Sequence, residues 1–600
     1  MQNKNQWRGG FFSLLILLSF LANAVPLKAQ DVVTSDDLSG GFTFRVSSKS
    51  KQNKTAFKNA SNFKRTKTQT IATTKRIQKQ TVTIAKTKPK RAKTKEVNPG
   101  TIDNAAIARK SKEEASQIFA GAGEYFLNKN DPTQSVEFFR EAMNLDAKNT
   151  NAKLGLSEAF TRQGDKFLEA EKPDAAKTLY LQAIELNEKN AGAVAGLSEA
   201  YELLNENDKA LEYYQKAIAL DADLTELYTP IGVLYYQKGN IAEADKYLTK
   251  ALAVSADNVE TQLFLGLVRY KQTRNDEAAV AFRRAIELDP TSAEAHYYLG
   301  ETLDKLGRGN EAISEYNEAV LINPKYTEAW FDLGVAYYND GKYEESINAY
   351  KQALKLKNDL GEAHVNLAEV YRQMNRFDDA VSSYRLAVAF VKNDAELYSR
   401  FGYVAGRIAA NPAKTSYWNL AIDNLEKALA ISSDYIDYTN LGWAYFNSAQ
   451  ADFRSGKKAE GQAKLEKARQ ALLEAEKLNQ KFPASYLNLG MTQVSLGDNK
   501  TAIETLKKAN DLHKDWVPAL HELGIAYLNS KDFDNAAKQF RRVIELDDKF
   551  AAAVYLLGIT EFQRKNTKEA RKLQQRLLEL NRRDLSVDLD LIISGVKKFN

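Results

Sequence analysis

Four histidines, His296, His364, His513 and His521, are the first candidates for acid–base or metal chemistry in this chain. His513 and His521 lie eight residues apart with Glu522 adjacent, whereas a zinc-binding helix sets its two histidines four apart on one face. His296 and His364 have no partners at metal-like spacing. No glycine-rich loop ends in Gly-Lys-Ser or Gly-Lys-Thr, and Gly341-Lys342 runs into Tyr343, so no phosphate cradle is expected. Carboxylates are abundant in every repeat, and no catalytic pair stands out from that background. The sequence therefore predicts no catalytic residue, no metal site and no cofactor. It contains no cysteine, which excludes thiol chemistry, disulfides and lipid attachment through sulfur.

The elements that carry these residues are read from a period. A Leu-Gly pair at Leu333-Gly334 recurs 34 residues away at Leu299-Gly300 and Leu265-Gly266, with Ile231-Gly232 and Phe401-Gly402 in the same register. Followed outward, the small residue of the pair falls at thirteen places; ten are Gly, and the others are Ser157, Ser198 and Ala368. Twelve residues further on stand Ala210, Ala244, Ala278, Ala312, Ala380, Ala502, Ala536 and Ala570, and seven beyond these come alanines such as Ala217, Ala251 and Ala285. Two apolar-periodic stretches per unit, split by a polar turn such as Lys238-Gly239-Asn240, predict a helical hairpin. Small residues belong where two helices approach closely. A repeated packing unit is common and a repeated catalytic site is not, so the regular residues are read as packing.

The units resemble tetratricopeptide repeats, whose pattern has an aromatic at position 4, Leu-Gly at 7 and 8, Tyr at 11, Ala at 20, an aromatic at 24, Ala at 27 and Pro near 32. Residues 327–360 supply Trp330, Leu333, Gly334, Tyr337, Tyr350 and Ala353, with Ser346 in place of an alanine. The resemblance spans roughly residues 115–582 and implies an all-α solenoid, a right-handed superhelix of about thirteen hairpins. His296 and His364 fall at position 4 and are expected to pack as aromatics. Only Pro290 and Pro324 keep the proline, so the turns at Ala222, Ala256, Asn358 and Lys392 are expected to be softer. Extra residues after Phe160, Ala405 and Tyr445 should lengthen a helix or a turn without breaking the stack.

Outside the repeats the composition changes. Lys4 and Arg8 precede an apolar run from Phe11 to Leu21 and the small residues Ala22-Asn23-Ala24, the pattern of an export signal over residues 1–24, with an alternative cut after Ala29. An uncleaved membrane anchor is the competing reading, but the run is shorter than the ~20 residues of a spanning helix. Residues 25–100 read as a basic disordered linker: residues 45–95 hold seventeen Lys and Arg and no Asp or Glu, while residues 96–600 sum to −11. The repeats are assigned to residues 101–582 and a capping helix to 583–600, where Leu585, Leu589, Ile592, Ile593 and Val596 share a face.

What remains for function is surface. The resemblance places repeat positions 2, 5, 9 and 12 on the concave face. Glu226, Glu260, Glu294, Glu328, Glu362 and Glu396 occupy position 2, and Tyr297, Phe331, Tyr236, Tyr270, Tyr338, Tyr403 and Arg372 fill the others, beside Asp304 and Lys305. Such an acidic, tyrosine-lined groove suits a protein or peptide segment bearing Lys or Arg; a glutamate in a helix's first turn also complements the helix dipole. The sequence thus predicts a non-catalytic interaction scaffold, exported to the periplasm or cell envelope. The basic tail would meet anionic lipid or envelope polymer, or nucleic acid were the protein cytosolic, or fold back on its own groove. The competing readings are an enzyme subunit, such as a diverged glycosyltransferase-associated repeat protein using the enlarged stretches 406–420 and 446–467, and a nucleic-acid binder acting through the tail. No oligomeric state is implied.

Overall fold

The computed structural model describes residues 95–101, 107 and 109–597. The export signal and all but the last residues of the basic linker lie outside the described residues. The described chain falls into two compact units, one ending at Gly341 and the other starting at Lys342. The N-terminal unit contains α1 Lys112–Asn128, α2 Pro132–Leu145, α3 Thr150–Glu169, α4 Pro173–Leu186, α5 Ala191–Leu203, α6 Asn207–Leu220, α7 Tyr228–Gln237, α8 Ile241–Val254, α9 Val259–Lys271, α10 Asn275–Leu288, α11 Ala293–Lys305, α12 Gly309–Ile322 and α13 Thr327–Asn339. The C-terminal unit contains α14 Tyr343–Leu356, α15 Gly361–Gln373, α16 Phe377–Phe390, α17 Ala395–Ala409, α18 Tyr417–Ile431, α19 Tyr435–Arg454, α20 Lys458–Leu478, α21 Pro483–Ser495, α22 Asn499–Leu512, α23 Val517–Asn529, α24 Phe533–Leu546, α25 Ala551–Gln563, α26 Thr567–Glu579 and α27 Arg583–Ile593. No strand occurs among the described residues. In each unit, neighbouring helices pack as hairpins and successive hairpins stack.

The small residues do what their spacing predicts. A Cβ at Gly266 would lie 2.5 Å from the Phe282 ring, one at Gly300 2.8 Å from Tyr316, and one at Gly524 2.6 Å from Phe540, so the bare backbone of the first helix seats a ring from the second. Phe139 is held on both sides, by Gly123 of its own hairpin and Gly155 of the next. Where the ring is a tyrosine, its hydroxyl finds a carboxylate: Tyr180 donates to Asp165 at 2.7 Å, Tyr214 to Glu202 at 2.8 Å and Tyr316 to Asp304 at 2.9 Å. The ring fills the core while its polar end stays satisfied.

Apart from the longer α17–α18 loop, the turns inside the hairpins use one left-handed residue. Gly307 has φ +74, its N–H donates to Asp304 O, and the Arg308 N–H reaches back to Leu303 O, the paired bonds of a Schellman stop. Thr273 and Lys531 occupy the equivalent place at φ +62 and +61, a conformation that costs a side chain with a Cβ. The turns between hairpins begin alike at Ala256 and Pro290, whereas at Lys392 the cap residue Val391 has φ −97 and Asn393 is left-handed at φ +58. Ser255, ahead of Ala256, has φ −143, and Asp289, ahead of Pro290, has φ −140. The extended cap forms with or without the proline.

The enlarged units keep the stack. The extra residues lengthen α3 to 20 residues and α19 and α20 to 20 and 21. After α17 they make a loop with the short 3-10 turn Pro412–Lys414, whose Lys414 Nζ lies 2.8 Å from Asp378 of α16. At the C-terminus, Gln574 of α26 stands where other repeats carry the ring or a leucine, and Leu589 of α27 fills the space over Gly558 instead. At the other end, the last residues of the stretch read as linker lie against α1. The Val97 N–H donates to Gly121 O at 3.1 Å, its side chain sits over the bare Gly121, and Asn128 donates to Glu96. No helix among the described residues is long and apolar enough to cross a membrane.

Candidate protein-binding face

The first helices α9, α11 and α13 bring tyrosines and carboxylates together. The Tyr270 hydroxyl of α9 donates to Glu301 of α11 at 3.4 Å, and the Tyr297 hydroxyl of α11 donates to Asp332 of α13 at 2.8 Å. The Lys305 ammonium sits 3.6 Å from the centre of the Tyr270 ring. Burial, reinforced by Glu301, Asp332 and Asp304, pushes the Tyr270 hydroxyl well above its ordinary pKa. Burial and then Glu301, Tyr236, Glu294 and Glu328 do the same to Tyr298. The tyrosines stay neutral donors in a field set by carboxylates.

The sequence candidates divide by exposure. Glu226, Glu294, Glu328, Tyr270 and Tyr338 are half-buried and reach the surface of the N-terminal unit, with Glu226 on the short 3-10 turn Thr225–Leu227 ahead of α7. Glu260 is buried. Phe331 is fully buried, and Tyr236, Tyr403 and Tyr297 are 2%, 3% and 7% exposed, so these rings sit between helices and offer a ligand almost nothing. Tyr236 meets the Phe264 ring edge-on and Tyr297 lies 4.9 Å from Tyr326. Successive first helices are close enough that rings at positions 5, 9 and 12 can reach the neighbouring repeat, which is why they are packed and not displayed.

On α15 and α17 of the C-terminal unit the same row carries guanidiniums, while at its far end Tyr555 of α25 donates to Asp588 of α27. Arg372 donates to Glu369 at 2.7 Å, Arg400 pairs with the exposed Glu396, and Arg407 donates to the Tyr403 hydroxyl at 3.1 Å while lying over Phe377. Glu362 is half-buried on α15. Glu301, Asp332, Glu369 and Arg400 were not among the sequence candidates. Asp332 and Arg400 lie at position 6, outside the four positions taken from the resemblance; the Tyr297 hydroxyl reveals Asp332 across repeats, and Glu396 of its own helix reveals Arg400.

Three of the four histidines pack, and His513 is exposed beside Trp516. His296 is buried; its burial opposes a charge, but Glu315, 2.7 Å away, raises its pKa above the ordinary value. His364 lies parallel to Phe390, and His521 lies against Phe550. The lengthened hairpin does bring a hydroxyl to an amine: Lys464 Nζ is 2.8 Å from Ser448 Oγ. The same ammonium is 2.6 Å from Asp452, and Ser448 is 3% exposed, so the group is an ion pair inside the hairpin. No group of three metal-ligating side chains occurs among the described residues.

Models of the TPR or tetratricopeptide repeat match residues 161–224, 225–258, 266–307, 305–341, 337–374, 363–397, 483–515 and 521–584. Among solved structures, MamA is 28% identical over 28% of this chain and 90% of its own, with a TM-score of 0.27. YrrB, described as a TPR protein with an unusual peptide-binding site, is 27% identical over 31% of this chain and 95% of its own, at 0.29. The APC/C hetero-tetramer Cut9–Hcn1 is 16% identical over 77% of this chain and 99% of its own, at 0.30. Scores this low transfer no ligand or partner. No curated protein matches the chain. The hairpins, their bare glycines under second-helix rings and the family models agree: the chain is an all-α solenoid of tetratricopeptide repeats.

Proposed function

We propose that the chain is a non-catalytic protein-binding scaffold of the bacterial cell envelope, holding Lys- or Arg-bearing segments on the first-helix face of its N-terminal unit. The observation that carries the reading is Lys305. Its ammonium rests on the Tyr270 ring, among Glu301, Asp304 and Asp332, which is the environment an incoming cation would need. Glu294 and Glu328 widen the negative field, and Tyr338 adds a half-buried aromatic surface. Export is supported by Lys4, Arg8, the apolar run and Ala22-Asn23-Ala24.

Photo-cross-linking in cells tests both halves. A photoreactive residue at position 338 should capture one exported protein through a Lys- or Arg-rich segment, and a control at the exposed second-helix residue Glu318 should not. Equal capture at both positions would remove the face from consideration. Recovery of the chain from the cytosol with residues 1–24 intact would remove the envelope.

A further inference from the structure

The N-terminal unit and the tail of the same chain are charge complements. Residues 111–341 carry 39 Asp and Glu against 23 Lys and Arg, while residues 45–94 carry sixteen Lys and Arg and no acid. The chain enters the fold beside that unit's first-helix row. Glu96 accepts from Asn128, and Val97 is fixed on Gly121, so the first described residues lie along α1. Asn128 and Lys305 stand five residues after the small residues Gly123 and Gly300 and thus at the same repeat position. The α9–α13 face lies four to six hairpins further along, about 40–60 Å at ~10 Å between neighbouring helices. Fifty residues reach up to about 165 Å at ~3.3 Å each, so length does not restrict the encounter.

We infer that residues 45–94 dock intramolecularly on the α9, α11 and α13 face and occupy it until a partner displaces them. This rests on the proposed function, because it names the first occupant of the same face. Lys305 shows the mode of contact, an ammonium on a tyrosine ring with carboxylates around it. The tail supplies lysines at short intervals, as in Lys86, Lys88, Lys90 and Arg91, and is tethered, so its local concentration exceeds that of a free competitor. A partner must then be more basic, more aromatic or better ordered than the tail. The docking is electrostatic and must weaken with salt.

The test uses the purified full chain with a photoreactive residue at position 338, mixed from isotopically light and heavy preparations. Cross-links from 338 into residues 45–94 of the same copy are expected at low salt. They should fall about tenfold at high salt, and by a similar factor in the double variant Glu294→Lys and Glu328→Lys. Absence of such cross-links, cross-links mainly between light and heavy copies, or no response to charge reversal would each overturn self-docking. A second measurement separates this from failure of the face itself. A synthetic peptide of residues 45–94 is titrated into the full chain whose own sixteen tail cations are replaced by Gln. Binding there, without same-copy cross-links in the unaltered chain, overturns self-docking and leaves the face reading standing. No binding overturns both. An unchanged circular dichroism melt of the charge-reversed chain shows that its loss of cross-links is not unfolding.

Discussion

Residues 111–341 carry 39 acidic against 23 basic side chains, whereas residues 342–600 carry 34 against 39. The acidity of the solenoid therefore belongs to its N-terminal unit. Both units use one hairpin, with a bare glycine under a ring or leucine: Gly300 under Tyr316 in one, Gly490 under Leu506 in the other. They part company on the first-helix row in their middle stretches. There α9, α11 and α13 bond tyrosine to carboxylate across repeats, as in Tyr297 to Asp332, and α15 and α17 set arginine on carboxylate, as in Arg372 to Glu369. Towards the ends of the chain Arg162 pairs with Glu158 on α3 and Tyr555 donates to Asp588, so neither pattern is confined to one unit. Packing positions repeat because geometry demands it. Face positions are released from that demand, so their divergence is where a binding preference can be written.

The largest expected effect tests whether the units are equivalent in packing. Tyr316→Ala should cost roughly 3–5 kcal/mol and Leu506→Ala about 2–5 kcal/mol, since each removes a fully buried side chain over a glycine. Hydrogen exchange should speed up around the altered hairpin and its neighbours and leave the other unit protected. Equal loss of protection in both units for either variant would erase the division.

Asp437 should separate the units by pH. Burial, partly offset by the Ser399 hydroxyl, raises its pKa from 3.8 to about 6. With the folded value above the unfolded one, its contribution is fully present below pH 3.8 and is lost as pH rises through about 6. At pH 7.5 the ionised carboxylate therefore costs up to about 3 kcal/mol, and Asp437→Asn should recover much of that while flattening the pH dependence. Fluorescence of Trp418 and Trp443, which pack edge to face in the α18 and α19 hairpins, reports the local melt at each pH. A variant no more stable than the parent at pH 7.5 would refute the assignment.

How much of this was legible beforehand differs between core and face. The 34-residue step and the alanine offsets located the hairpins, because close helix approach admits few side chains and so repeats visibly. Gly300 and Gly524 were legible as contacts, though not their partners. Conversely, Phe331, Tyr236 and Tyr403 were read as groove residues from position alone and are buried, because exposure at those positions depends on the neighbouring repeat. Asp332 sits at a position the family pattern leaves blank, and only its bond to Tyr297 brings it in. Nothing about Thr273 announces a left-handed turn. Its φ of +62 is imposed by the stop that Gly307 satisfies without strain. The replacement of the last ring by Leu589 likewise depends on α27 folding back.

Two smaller changes sharpen the packing side. Gly300→Ala and Gly524→Ala should each cost roughly 1–3 kcal/mol, because the new methyl would lie under 3 Å from a ring carbon. Comparable shifts in denaturant midpoint for both would support one rule for both units, and no shift in either would break it. Thr273→Gly should stabilise the N-terminal unit by about 1 kcal/mol, since glycine adopts the left-handed turn without the Cβ clash. A lower melting temperature would show that the threonine makes a contact worth more than the strain.

The central claim is that binding is written in the N-terminal face. Its most direct test is fluorescence anisotropy of a labelled Lys-rich peptide titrated into the full chain with a neutralised tail. Three faces are compared at about 50 and about 300 mM salt, on either side of strong screening: unaltered, Glu294→Lys with Glu328→Lys, and Glu362→Lys with Glu396→Lys. The account predicts salt-sensitive binding weakened at least about tenfold by the N-terminal pair and little changed by the C-terminal pair. Equal weakening by both pairs, or by neither, would contradict it.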